Sequence, residues 1–222
     1  MKLLVATTNQ HKLKEIRHIL RSRVEGRESR VKEDGKTFEE NAIKKARSIK
    51  LKAGEIAIAD DSGLMVNCLK GKPGVRSARF ATPPTPSNLC QKLLRVMRLC
   101  RAPCLPAGRN RGAKFVCVIA LAYPDGRIKT FKGVVRGRII SEMRGKHGFG
   151  YDPIFRPCGY SKTFAEMAPA FKNRISHRAR ALKMLKSHLR ARSPDVPRSK
   201  HRGNRDPDSR LRRDVGTQWA RG

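Results

Sequence analysis

The sequence predicts an α/β domain, and three observations carry that expectation. An apolar strand at residues 2–7 runs through a polar turn into a helix at 12–20, where Leu13, Ile16 and Leu20 share one face. The β-branched run I-A-I-A at 56–59 delivers two adjacent acids, Asp60 and Asp61. A long apolar strand at 115–123 turns at Pro124-Asp125-Gly126 into a second strand at 127–135, a hairpin. At 222 residues the chain suits one sizeable domain at 1–189, with a basic, compositionally disordered tail at 190–222.

Charge narrows the partners. Lys and Arg number 51 against 18 Asp and Glu, a formal charge of +33, which favours ligands bearing phosphate. The six cysteines show no paired metal-ligand spacing, so no zinc site is expected, and Cys68 and Cys117 read as reduced core thiols. No apolar run reaches membrane-spanning length and the N-terminus has no signal-like core, so a cytoplasmic protein is expected.

Taken in order, the first candidate site is the turn between strand and helix. Backbone N–H groups and a positive dipole end gather there, with Thr7, Thr8, Asn9, Gln10, His11 and Lys12. Thr8 or Asn9 can equally serve as the helix cap. Residues 21–36 show no period. Thr37 and Glu40 form a capping box opening a helix to about 51, which occupies Glu40 and leaves Glu33 free as a ligand.

Asp60 and Asp61 are expected at a strand end that breaks at Ser62-Gly63, with a second strand at 64–68. Neighbouring strand residues face opposite ways, so only one of the two acids can face a given cleft. A helix at 88–98 and a basic linker at 101–112 precede the hairpin, and a further extended piece follows at 134–140. The stretch G-F-G-Y-D-P at 148–153 offers Phe149 or Tyr151 for stacking on a base, between flexible Gly148 and Gly150, with Asp152 before a proline. Finally Lys172 and the pair His177-Arg178 lead into a helix capped by Ser176. A His-Arg pair at a helix start opposes its dipole, which suggests a nearby anionic or carbonyl-bearing ligand.

These stretches, in this order, resemble the inosine/xanthosine triphosphate pyrophosphatase family. The matching pieces are T-T-N-Q-H-K (7–12), T-F-E-E-N-A-I-K-K-A-R (37–47), A-I-A-D-D-S-G-L (57–64), G-K-P-G-V-R-S-A-R-F (71–80), H-G-F-G-Y-D-P-I-F (147–155) and K-N-R-I-S-H-R-A-R-A-L (172–182). The resemblance implies an elongated, two-lobed α/β fold around a long mixed twisted sheet, with the active cleft between the lobes, usually as a homodimer. It implies hydrolysis of deaminated purine nucleoside triphosphates (ITP, dITP, XTP) to monophosphate and pyrophosphate with Mg²⁺.

By position, Thr7 to Lys12 would hold the triphosphate, and Glu33 and Asp61 would bind Mg²⁺. Asp61 would also be the base, Ser62 would touch substrate, and Phe149, Gly150, Tyr151, Asp152, Lys172, His177 and Arg178 would form the base pocket. The segment before Glu33 is shorter than the resemblance implies, with a strand abbreviated or lost. The charge supports a competing expectation, a nucleic-acid-binding protein on an inactive pyrophosphatase scaffold. The basic tail would supply non-specific nucleic-acid contact in either case.

Overall fold

The computed structural model describes residues 2–21, 24–29, 31–99 and 111–191. Most of the basic linker read at 101–112, the tail beyond Ala191, and Cys100 and Cys104 lie outside the described residues.

Strands β1 (Lys2–Ala6), β2 (Val24–Arg27), β3 (Glu55–Val66), β4 (Gly112–Ala122), β5 (Ile128–Ile139) and β6 (Phe155–Pro157) form one sheet, ordered β2-β1-β3-β4-β5-β6. β1 runs parallel to both β2 and β3, and the pairs from β3 to β6 are antiparallel. Around it lie α1 (Gln10–Leu20), α2 (Phe38–Arg47), α3 (Pro86–Leu99), α4 (Pro169–Ile175) and α5 (His177–Ala191).

Strand alternation sorts the core. Ile56 and Ile58 of β3 pack on one face with Leu13, Ile16 and Leu20 of α1 and Leu182 and Leu185 of α5. Ala57 and Ala59 face the other way, and their small side chains lie with Phe38, Ala42 and Ala46 of α2. Further along the first face, Leu64 and Val66 join Leu89 and Leu93 of α3 with Phe155 and Phe164. Two apolar clusters therefore sit on one face of β3, and between them come the polar positions Asp60 and Ser62. These polar positions form a seam between the two clusters.

Three expectations need correction. β3 does not end at the acids; it continues through Ser62 and Gly63 to Val66, with Ser62 opposite Cys117 and Gly63 opposite Val116 on β4. Gly63 marks a close approach rather than a break. A Cβ there would lie 2.5 Å from the Gly74 carbonyl oxygen and from Ser77 Oγ. The Ser77 hydroxyl also accepts a hydrogen bond from the Leu64 amide at 2.9 Å. Second, the pieces read at 127–135 and 134–140 are one strand, β5, paired with β4 from Ile128 to Arg138. Third, α2 ends at Arg47 rather than near 51.

The early strand left in question is present as β2, four residues long and paired to β1 through its backbone although only Val24 is buried. α4 was not read from the sequence at all; Pro169 occupies its first turn, where a missing N–H costs nothing. The feature that makes a site is a difference in length. β1 stops at Ala6, opposite Ala59, while β3 runs on, so among the described residues the β1 side of β3 has no strand beside it from Asp60 until Pro73 bridges Met65. Ligands of open α/β sheets sit in such crevices beyond the carboxyl ends of strands.

Candidate active site

The turn after β1 is held by its own side chains. Thr7 Oγ1 accepts from the Asn9 amide at 3.1 Å, and Asn9 Oδ1 accepts from the Lys12 amide at 3.1 Å, so Asn9 is the cap of α1. Thr8, Gln10 and His11 are exposed. Lys12, on the first turn of α1, places Nζ 2.5 Å from Asp60 Oδ1.

Asp60 is 2% exposed and surrounded by donors. Arg178 Nε reaches its Oδ2 at 3.1 Å and Arg178 Nη2 its Oδ1 at 3.4 Å. Cys117 Sγ donates to Oδ2 at 2.9 Å and Ser62 Oγ to Oδ1 at 3.1 Å. Burial alone would raise this carboxyl, but Arg178 and then Lys12 overcome it, with bonds from Cys117 and Lys12, and hold it well below the ordinary range. Cys117 is pushed the other way by burial and by Asp60, so it stays a neutral thiol donor. Arg178, 1% exposed, also pairs with Glu15 and donates to Ser62 Oγ at 2.9 Å. The His-Arg pair at the start of α5 is thus buried rather than solvated, and its cation is balanced by two carboxylates.

Asp61 points to the opposite face, toward α2. Lys45 Nζ lies 3.2 Å from Asp61 Oδ1 and 3.0 Å from Glu33 Oε1, and Asn41 Nδ2 donates to Asp61 Oδ2 at 3.3 Å. Glu33 sits in the irregular segment before α2, where Arg79 Nη2 donates to its backbone carbonyl at 2.9 Å. Burial raises the Asp61 carboxyl. Lys45 and Lys12 lower it only in part, because Glu33 and Asp60 add like charge. Two carboxylates thus converge on one cation. That donor set fits Mg²⁺, which takes one or two carboxylates and completes its shell with phosphate oxygens and water. Among the described residues no cluster of three or more His, Cys, Asp or Glu gathers as an all-protein cage.

The aromatic end lies across the seam. The His11 and Phe149 rings stack at 5.3 Å, and Lys172 Nζ stands 5.0 Å from the Phe149 ring centroid. Lys172 pairs with Asp152 at 2.6 Å and Glu15 at 2.8 Å. Burial works against its charge, but Asp152 and Glu15 together hold the ammonium protonated. Asp152 Oδ2 also accepts from the Phe149 amide at 2.8 Å, and only a glycine at 148 leaves room, since a Cβ there would fall 2.1 Å from that carboxylate.

Two residues expected in the pocket are placed otherwise. Tyr151 is buried and its hydroxyl donates to the Ser77 carbonyl at 2.9 Å, so it ties the 149–152 loop to the turn after β3 instead of offering a stacking face. Gly150 turns its carbonyl to Cys90 Sγ at 3.4 Å. His177 is buried and stacked on Phe115 at 4.7 Å, and burial and Arg178 hold the imidazole neutral. Its Nδ1 has no hydrogen-bond partner, an uncommon state for a buried polar atom.

Sequence reasoning missed four participants: Glu15, Asn41, Lys45 and, as more than a turn acid, Asp60. Signals for three of them existed. Asn41 and Lys45 sit four apart on α2, immediately beside the apolar pair Ala42 and Ala46, so both border the buried face. Glu15 lies one turn after Lys12 and next to buried Ile16.

The sequence profile of the Ham1 family matches residues 3–188. A dITP/XTP pyrophosphatase of Desulfotalea psychrophila is 46% identical over 204 residues, covering 87% of this chain and 86% of the relative. Another, of Desulforamulus reducens, is 47% identical over 195 residues, covering 82% and 92%. Among solved structures, a HAM1 protein from Coxiella burnetii superposes with a TM-score of 0.75 at 37% identity, covering 86% of this chain and 99% of that one. A nucleoside-triphosphatase, or dITP/XTP pyrophosphatase, from Mycobacterium abscessus gives 0.64 at 39% identity, covering 83% and 98%.

Proposed function

The chain belongs to the Ham1 family, and we propose that its cleft hydrolyses deaminated purine nucleoside triphosphates (ITP, dITP and XTP) to the monophosphate and pyrophosphate. One observation carries this reading. Where β1 ends and β3 runs on, the Lys12 turn, Asp60 and the Phe149–Lys172–Arg178 group meet at one seam, and the next residue of the strand, Asp61, meets Lys45 and Glu33 on its other face. Lys12 pairs with Asp60 from the α1 face, and Lys45 pairs with Asp61 and Glu33 on the α2 face of the same strand.

In the proposed reaction the triphosphate lies along the turn at Thr7–Lys12, and water attacks the α-phosphorus. Asp61 accepts the proton of that water, the new P–O bond forms, and the bond to the β-phosphate bridge oxygen breaks to release pyrophosphate. Glu33 and Asp61 would hold Mg²⁺, which supplies charge neutralisation at the phosphate oxygens. Lys12 and Lys45 add positive charge along the phosphates. Asp60 is not the base: it is an anion fixed by Arg178 and Lys12, and it keeps both in place.

The base would stack on Phe149, with donors from Lys172, His177 or Arg178 reading the 6-oxo group. Adenine would set an amine against those donors and leave buried polar groups unpaired. The orphaned His177 Nδ1 supports a ligand at this place. The working unit is taken as a cytoplasmic homodimer, an extension that rests on the motif resemblance and that sedimentation velocity would test. A binding protein on an inactive scaffold is not favoured, because relatives 46% and 47% identical over most of the chain are named dITP/XTP pyrophosphatases.

The test is pyrophosphate release from ITP, dITP, XTP, ATP and GTP with and without Mg²⁺. Fast, Mg²⁺-dependent release from the first three and slow release from the last two is expected. Equal rates on all five would overturn the substrate assignment.

A further inference from the structure

The two faces of the β4–β5 arm are treated differently. Phe115, Cys117, Phe131 and Val135 point into the core shared with α5 and the second lobe. The opposite face is left open beyond α2 and forms a groove of about 1050 Å³. Half-buried Met65, Val75 and Val134 lie along its floor with Val116 and Val118. Its walls and rim are basic. Lys36, Lys70 and Lys72 stand on one side, Lys114, Lys132 and Arg136 rise from β4 and β5, and Arg180 reaches round the edge of β5 to the Val134 carbonyl at 2.9 Å. Among the described residues Glu39 is the one acid lining the groove, and its Oε1 is engaged by the Thr130 hydroxyl at 2.6 Å. Among the described residues no carboxylate pairs with any of these seven cations, whereas the cations of the catalytic seam all have acid partners.

We propose that this groove binds single-stranded nucleic acid, separately from the nucleotide cleft. Unpaired cations along one face suit a chain of phosphates: Lys132 and Arg136 stand four residues apart on β5, about 13 Å at roughly 3.3 Å per residue. The apolar floor suits exposed bases, which a single strand offers and a duplex hides. Among the described residues the floor has no exposed aromatic ring, so recognition is by backbone charge with little sequence preference. Other occupants fit less well. A two-fold contact sets a patch against its own copy, which here would bring the basic walls of two grooves together around their apolar floors. A membrane is flat, and none of the exposed large apolar side chains (Leu99, Met143, Tyr160, Met184) lines the groove.

The test is fluorescence anisotropy of a labelled dT20 strand with the full chain, titrated across salt concentrations, for wild type and for K132Q/R136Q. Neutralising two phosphate contacts is expected to weaken binding about tenfold at low salt and to lower the log–log salt slope by about 1.4, at roughly 0.7 per contact on a single strand. K36Q/K70Q, on the opposite wall, should do the same, while pyrophosphate release from dITP stays unchanged in both. Unchanged affinity and slope in both variants would overturn the proposal by leaving the tail as the binder. So would tighter binding of a dT20·dA20 duplex, or a wild-type dimer that the variants split into monomers.

Discussion

Asp60 and Asp61 are neighbours on one strand, equally out of water, and their environments push them apart. On the α1–α5 face Asp60 meets an arginine and a lysine, with a thiol and a hydroxyl completing its bonds, and stays ionised. On the α2 face Asp61 shares a single lysine with Glu33 and is raised. The difference separates two jobs that the sequence D-D runs together. A carboxylate saturated by fixed cations is an anchor, and one left short of positive charge can take a metal or a proton. Burial by itself does not make a base; the ratio of cations to acids on that face does.

Removing the Asp61 charge should break function and spare the fold. D61N is expected to lower the rate of pyrophosphate release from dITP by about 10²- to 10⁴-fold, the range for a lost general base, with thermal melting close to wild type. D60N should do the reverse first. It strips the buried Arg178 and Lys12 of their shared partner, and loss of about 3–5 kcal/mol in denaturant unfolding is expected, with activity falling as a consequence.

Glu15 sharpens the comparison through pH. It belongs to the Asp60 face, and Arg178 and Lys172, working against burial, lower its pKa from 4.5 to about 2. A depressed carboxyl stabilises the fold fully above its unfolded value and loses that contribution as pH falls from 4.5 through about 2. E15Q should therefore flatten the acid limb of stability over that window, by about 3 kcal/mol in total at 1.36 kcal/mol per unit. Smallest of all should be C117S, which keeps a donor to Asp60 and is expected to change stability by about 1 kcal/mol or less. C117A, which removes the donor, should cost about 1–3 kcal/mol.

Much of this was legible in the residues. Asn9, Thr37 and Ser176 were readable as caps, and all three accept the expected backbone bonds. Glu40 caps as well, though it reaches the Lys36 amide, one residue before the cap, at 2.8 Å. What was not legible depended on partners distant in the chain. Gly63 looked like a strand breaker because nothing nearby in sequence shows that Ser77 and Gly74 press against it. Lys45 carries no local signal of its role, since the acids that bury it come from residues 33 and 61. Tyr151 looked like a stacking ring because its partner, the Ser77 carbonyl, lies 74 residues away.

The division of labour between the two acids can be read directly by carbon-detected NMR titration of the Asp60 and Asp61 carboxyls in the metal-free protein. Asp61 should titrate above 3.8, the ordinary aspartate value, and Asp60 should remain ionised until the acid limb unfolds the chain. Coincident titration of the two carboxyls, or Asp60 protonating first, would contradict the account.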